Sequence, residues 1–139
     1  MPDSHLISDK EFVDLVTNDR SCFKFVKYFT PHCPYCRYLK VVFDTLKHQK
    51  EWCFNIYELN CQWYPQFCMS NVKSTSFPYT VIYDQNGNVF EEIHGFYPEN
   101  IISAIFSRIE DECLKVKNPS GSQQNQPVQS QNVQSSLSA

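Results

Sequence analysis

Apolar and polar positions along this chain change rhythm several times, and each change marks an element. Behind Ser8, the residues Phe12, Val13, Leu15 and Val16 recur at helical spacing. "SDKEFVDLV" adds a start signal, with Ser8 or Asp9 as N-cap and Glu11 as the capping-box partner of Ser8, so a short helix is predicted over residues 9–18. Cys22 to Phe29, "CFKFVKYF", is aromatic and β-branched on both phases, the pattern of a central strand covered on both faces. After Pro34, the residues Cys36, Leu39, Phe43 and Leu46 share one stripe, which predicts a helix from Pro34 to His48. Proline near the first turn is well placed, because its missing N–H has no helical partner there. Cys53 to Leu59, "CFNIYEL", is a second strand. Strand, helix and strand in this order require a parallel crossover, hence a βαβ unit.

"QWYPQFCMS" reads as a short or broken helix around Pro65. In "YTVIYDQNGNVFEEIHG" two apolar runs flank Asn86–Gly87, a strong hairpin signal. Pro98 opens a terminal amphipathic helix, with Ile101, Ile102, Ile105, Phe106 and Ile109 on one face. The order α, β, α, β, short α, β-hairpin, α predicts the α/β class, a central mixed β-sheet with helices on both faces. From Asn118 to Ala139 the chain is Gln, Ser and Asn with scattered Pro and neither aromatic nor charged residues. Such a composition cannot offset the entropy of ordering. One domain over residues 1–117 and a disordered tail over 118–139 are therefore expected.

Composition narrows the function. A chain of 139 residues is one domain that can bury a core without metal or disulfides, and its aromatic content of 15% supplies the apolar surface. A net charge of −3 gives no broad positive field, which disfavours nucleic acid and anionic lipid as partners. No window approaches the roughly 18 consecutive apolar residues of a membrane span, so no membrane partner is expected. "MPDSHLISDKEF" is polar and acidic where a secretory signal is basic and then apolar, which points to the cytoplasm. The seven cysteines pull the other way, since stable disulfides are uncommon in a reducing cytosol.

The chemistry concentrates at Cys33 and Cys36, which bracket Pro34-Tyr35 where the first βαβ strand feeds its helix. Paired cysteines hold a metal, lock a loop or exchange electrons. Structural zinc takes a second cysteine pair, and the only other close pair, Cys61/Cys68, lies outside the usual knuckle spacing, so no metal is expected. At a strand-to-helix seam the motif is redox-active. Unpartnered amides and the helix macrodipole favour a thiolate at Cys33. Cys36, one turn deeper, is placed to attack a mixed disulfide on Cys33. Thiol exchange of this kind needs no cofactor.

Three segments carry a family resemblance. "VKYFTPHCPYC", "STSFPYTVIYDQNG" and "SDKEFVDLV" make residues 5–112 similar to the thioredoxin superfamily, most closely to the catalytic domains of protein disulfide isomerases. The resemblance implies a thioredoxin-like three-layer fold and an oxidoreductase or isomerase acting on protein thiols and disulfides. It implies a cis-proline at Pro78 facing the active-site cysteines, with Phe77 and Pro78 as an apolar lip for an extended peptide. It also implies a structural disulfide between Cys61 and Cys68, contributing roughly 2–3 kcal/mol, against the alternative of two buried thiols. Pro34-Tyr35 is the dipeptide common in glutaredoxins, which adds glutathione or a reductase as partners, although "SFPYT" lacks the glutaredoxin Thr-Val-Pro context. The resemblance makes the lumen of the endoplasmic reticulum the alternative compartment.

The chain departs from that family at three positions. His32 replaces the usual Trp, where a charged imidazole would favour the Cys33 thiolate. Lys27 stands where the family buries an acid, so it serves either as a desolvated base or as a stabiliser of thiolates that makes the site more oxidising. Val41 replaces a helix-kinking proline, which predicts a straighter helix. Cys22, Cys53 and Cys113 read as buried or incidental thiols. The rival in a different class is a thioredoxin-fold binding or chaperone-like module without catalysis, and the presence of both motif cysteines weighs against it.

Overall fold

Ser8 starts the first helix as a reciprocal cap: its hydroxyl accepts the Glu11 N–H at 3.1 Å, while the Glu11 carboxylate accepts the Ser8 N–H at 2.9 Å. In this computed structural model, which describes residues 5–74 and 76–118, the helix α1 (Asp9–Phe12) widens into a π-helical turn, Val13–Thr17. The other elements are β1 (His5–Leu6), β2 (Lys24–Phe29), α2 (Pro34–Lys47), β3 (Asn55–Asn60), α3 (Pro65–Asn71), β4 (Tyr79–Tyr83), β5 (Val89–His94) and α4 (Glu99–Lys117). The strands lie in the order β1-β3-β2-β4-β5. β1, β3 and β2 are parallel, β4 is antiparallel to β2, and β5 is antiparallel to β4. The α/β class and the mixed sheet are those read from the sequence. β1 is an addition, since two residues carry no periodicity. α2 runs unbroken through Val41.

The sheet separates two apolar layers. On one face Phe25, Ile82 and Ile93 meet Leu39, Phe43 and Leu46 of α2 and Ile102, Phe106 and Ile109 of α4. On the other, Val26, Tyr28, Leu59, Val81 and Tyr83 meet Phe12 and Val16 of the first helix and Cys68 of α3. Successive β2 residues feed opposite layers, as the period of a strand requires. That period also places the two lysines of β2. Lys24 turns towards the end of the first helix, where its ammonium donates to the Val16 carbonyl at 3.1 Å and to the Asp19 carbonyl. A cation there complements the helix dipole and satisfies orphan carbonyls. Lys27 points to the α2 side, with consequences for the site.

Cys53 and Cys113, read above as separate thiols, are joined as a disulfide with a Cα–Cα distance of 6.0 Å. The pairing arises because α4 docks beside the start of β3, which brings together residues far apart in sequence. Cys22 is buried and unpaired. The tail expected from Asn118 lies, beyond that residue, outside the described residues. Among the described residues no helix is long and apolar enough to cross a membrane.

Candidate active site

β2 delivers the chain to the turn that holds Cys33, and α2 starts immediately after it. Cys33 is the N-cap of α2, with Pro34 in the first helical turn. Its sulfur accepts the Cys36 N–H at 3.1 Å, an amide that has no partner within the helix. A donor of this kind, at the positive end of a helix, stabilises sulfur as an anion. Cys33 and Cys36 are disulfide-bonded across one turn, with Cα atoms 5.2 Å apart. The two differ in access: Cys33 is half-buried, whereas Cys36 is 9% exposed. His32 is exposed on the turn before them.

Beneath Cys36 lies a cavity of about 110 Å³ whose walls include Lys27, Lys40, Glu58 and Pro78. Lys27 and Glu58 are register partners across the parallel β2–β3 ladder. The Lys27 ammonium lies 2.9 Å from the Glu58 Oε2, with the two side chains only 5% and 12% exposed. It also lies 4.5 Å from the centroid of the Phe43 ring. Burial pushes Lys27 below the usual lysine range, and the Glu58 carboxylate opposes that shift. Lys40 reaches the same Glu58 oxygen at 3.7 Å and Asp44 at 3.5 Å. Lys27 is therefore half of an ion pair.

Glu58 was not among the residues singled out in the sequence. Its signal was present: an acid on the covered phase of the strand "NIYELN", the phase on which Ile56 packs into the core. What joins it to Lys27 is strand register, which spacing along one segment does not show.

The Phe77–Pro78 peptide bond is cis, and Pro78 lines the cavity under Cys36. Phe77 faces a neighbouring groove of about 630 Å³ together with Met69, Val72 and the Cys61–Cys68 pair. Thr30 borders both hollows. Cys61 and Cys68 form a disulfide, Cα–Cα 5.7 Å, that ties the end of β3 to α3. At the start of α2, Tyr35 and Tyr38 are largely exposed and touch Phe96, with ring centroids 6.1 and 6.3 Å away. The structure thus brings Cys33, Cys36, Lys27 and Pro78 to one locus, and sets Phe77 and the Cys61–Cys68 disulfide beside it. Among the described residues no three His, Cys, Asp or Glu side chains converge as a metal site.

The family model for thioredoxin matches residues 3–107. A mutant thioredoxin from Halobacterium salinarum NRC-1 superposes with a TM-score of 0.65 at 15% identity, over 78% of this chain and 91% of its own. Chloroplastic thioredoxin z superposes with a TM-score of 0.65 at 18% identity, over 80% of this chain and 97% of its own. Likeness at such identities concerns the fold: a thioredoxin fold, with a five-stranded mixed sheet between helices. No curated protein matches the chain.

Proposed function

The chain belongs to the thioredoxin family, and on that premise we propose that it is a thiol–disulfide oxidoreductase acting on protein cysteines through Cys33 and Cys36. The observation that carries this reading is the seat of Cys33 at the N-terminus of α2, its sulfur held by the Cys36 N–H, with Cys36 one turn inward within bonding reach. The Cys33 thiolate attacks one sulfur of a substrate disulfide. A Cys33–substrate bond forms, the substrate S–S bond breaks, and the departing sulfur takes up a proton. Cys36, as thiolate, then attacks the Cys33 sulfur, which closes the enzyme disulfide and expels the second substrate sulfur. The substrate gains two electrons and the dithiol loses two. Reversal oxidises a substrate dithiol, and escape through a further substrate cysteine isomerises. Which direction prevails depends on the potential of the pair against that of its compartment.

The substrates are polypeptides in this reading. The Phe77 groove and the Tyr35, Tyr38 and Phe96 cluster offer apolar surface near the site, suited to a chain rather than to a charged tripeptide such as glutathione. Three disulfides, two of them apart from the redox motif, favour an oxidising compartment over the cytoplasm suggested by the polar N-terminus. Both points support the protein disulfide isomerase type within the family.

Two experiments test the proposal. The protein is equilibrated in graded glutathione buffers, acid-quenched, alkylated and read cysteine by cysteine by mass spectrometry. Cys33–Cys36 interconverts within the cellular range while Cys61–Cys68 and Cys53–Cys113 stay closed. An absence of reversible exchange at Cys33 and Cys36 would leave the non-catalytic binding module instead. In a protein-disulfide reduction assay, Cys33→Ser falls to the uncatalysed rate. Cys36→Ser retains the first attack and accumulates one equivalent of mixed disulfide, visible as a mass shift.

A further inference from the structure

The second half of the exchange has a requirement that the motif alone does not meet. Cys36 attacks only after losing its proton, and at 9% exposure it has little bulk water to receive that proton. We propose that Glu58, supplied by the neighbouring strand β3, is the acceptor of the Cys36 proton, and that Lys27 is the positioning residue that holds it there. This inference rests on the oxidoreductase reading.

Four observations carry it. Among the described residues Glu58 is the one carboxylate that lines the cavity under Cys36. That cavity, at about 110 Å³, has room for water to bridge sulfur and carboxylate, and its walls offer polar partners. Among the described residues both ion pairs of Glu58 fall on Oε2, from Lys27 at 2.9 Å and Lys40 at 3.7 Å, which leaves Oε1 for a proton. The Lys27 ammonium, paired and packed on Phe43, has no lone pair to offer while charged. Cation and anion thus stand on adjacent strands in matched register, with the anion on β3.

In the forward step the Cys36 S–H proton passes through cavity water to Glu58. The Cys36 sulfur bonds to Cys33, and the substrate sulfur leaves with the electron pair of the broken bond. In the reverse step Glu58 returns the proton to Cys36 as it departs. The charged and titratable groups around this carboxylate are Lys27 from β2, Cys36, Lys40 and Asp44 from α2, and Arg37 on the cavity wall.

The test separates the two half-reactions. Reduced protein is mixed in stopped flow with an excess of the chromogenic disulfide of thionitrobenzoate. The first release of coloured thiol reports attack by Cys33, and the second reports resolution by Cys36. From about pH 5 to the ordinary thiol pKa of about 8.5, Glu58→Gln slows the second phase roughly 10²-fold, at the lower end of general acid–base effects, and leaves the first phase within about twofold. The deficit closes at higher pH, where hydroxide removes the thiol proton directly. The charge-swapped double variant Lys27→Glu/Glu58→Lys, which returns a carboxylate to the cavity from β2, regains most of the second phase. Should Glu58→Gln not fold, the neutral pair Lys27→Met/Glu58→Gln leaves no unpaired ammonium and carries the same expectation. Equal second phases in wild type and variant would overturn the proposal. So would a deficit of the same size at every pH, which marks a purely structural pair, or a folded swap as slow as Glu58→Gln. A wild-type protein that shows no first phase sinks the oxidoreductase reading itself, a different failure.

Discussion

Gly87 holds the β4–β5 turn with φ +83°, donating its N–H to the Asp84 carbonyl at 3.0 Å. A Cβ at this position would lie 2.9 Å from the Thr17 Cα and 3.1 Å from the Thr17 carbonyl oxygen. Both the left-handed backbone and the close approach to the first helix exclude a side chain. Gly87→Ala therefore lowers stability by more than about 1 kcal/mol, read as a shift in the urea midpoint with unchanged slope. Asn86–Gly87 was legible as a turn because its chemistry is local. Glu58 was not, because its partner Lys27 is reached across the ladder, and neither residue's own segment shows the alignment. The cysteines divide along the same line: Cys33 and Cys36 announce themselves by spacing, while Cys53 and Cys113 are matched only by docking.

At the level of elements, α4 owes its seat to two contributions. Its buried stripe of Ile102, Phe106, Ile109 and Cys113 is fully covered by the sheet and α2. Its last turns are then fixed by the Cys53–Cys113 disulfide and by the Glu110 carboxylate, which accepts the Cys53 N–H at 2.6 Å. On loop-closure entropy a disulfide spanning 60 residues contributes about 4 kcal/mol, against about 2.5 kcal/mol for the 7-residue separation of Cys61–Cys68. Cys113→Ala accordingly destabilises the oxidised protein by about 3–4 kcal/mol, and Cys61→Ala by about 2 kcal/mol. In urea titrations run with excess reductant the difference between the two variants largely disappears. The helices and the hairpin were legible because each repeats its own period over many residues. β1 escaped notice because His5–Leu6 gains its identity only from pairing with Tyr57 and Glu58.

For the whole molecule, the layer between the sheet and α1/α3 carries a pH limit. Tyr28 and Tyr83 meet hydroxyl to hydroxyl at 2.7 Å inside it. Burial raises both, Tyr83 up to about 12 and Tyr28 further, because neither phenolate has water to solvate it. Their folded values exceed the unfolded value of about 10, so the stability they lend is complete below pH 10 and declines above it. In that range unfolding releases protons. Stability falls by about 1.4 kcal/mol per pH unit for each tyrosine until the folded value is passed. Urea midpoints measured between about pH 9 and 12 show this decline, and Tyr83→Phe makes it shallower by about that amount. The three-layer plan itself was open to reading from the sequence, since the order of elements and the doubly apolar β2 leave few alternatives. The division of the interior into two layers, one housing an ion pair and the other a tyrosine pair, emerges only from packing.

Among the described residues the sheet ends on one side at β1, two residues long, and on the other at β5, whose residues include Glu91, Glu92 and His94. Arg108 of α4 reaches over that second margin to clasp Glu91 at 2.6 and 3.0 Å. Margins that are very short or charged are poor templates for a foreign strand. On the proposed reading, an unfolded substrate meets reactive sulfur and apolar grooves but, among the described residues, no long apolar row of open backbone on which to anneal. Under that proposal the two margins keep the molecule from becoming a seed for aggregation-prone substrates.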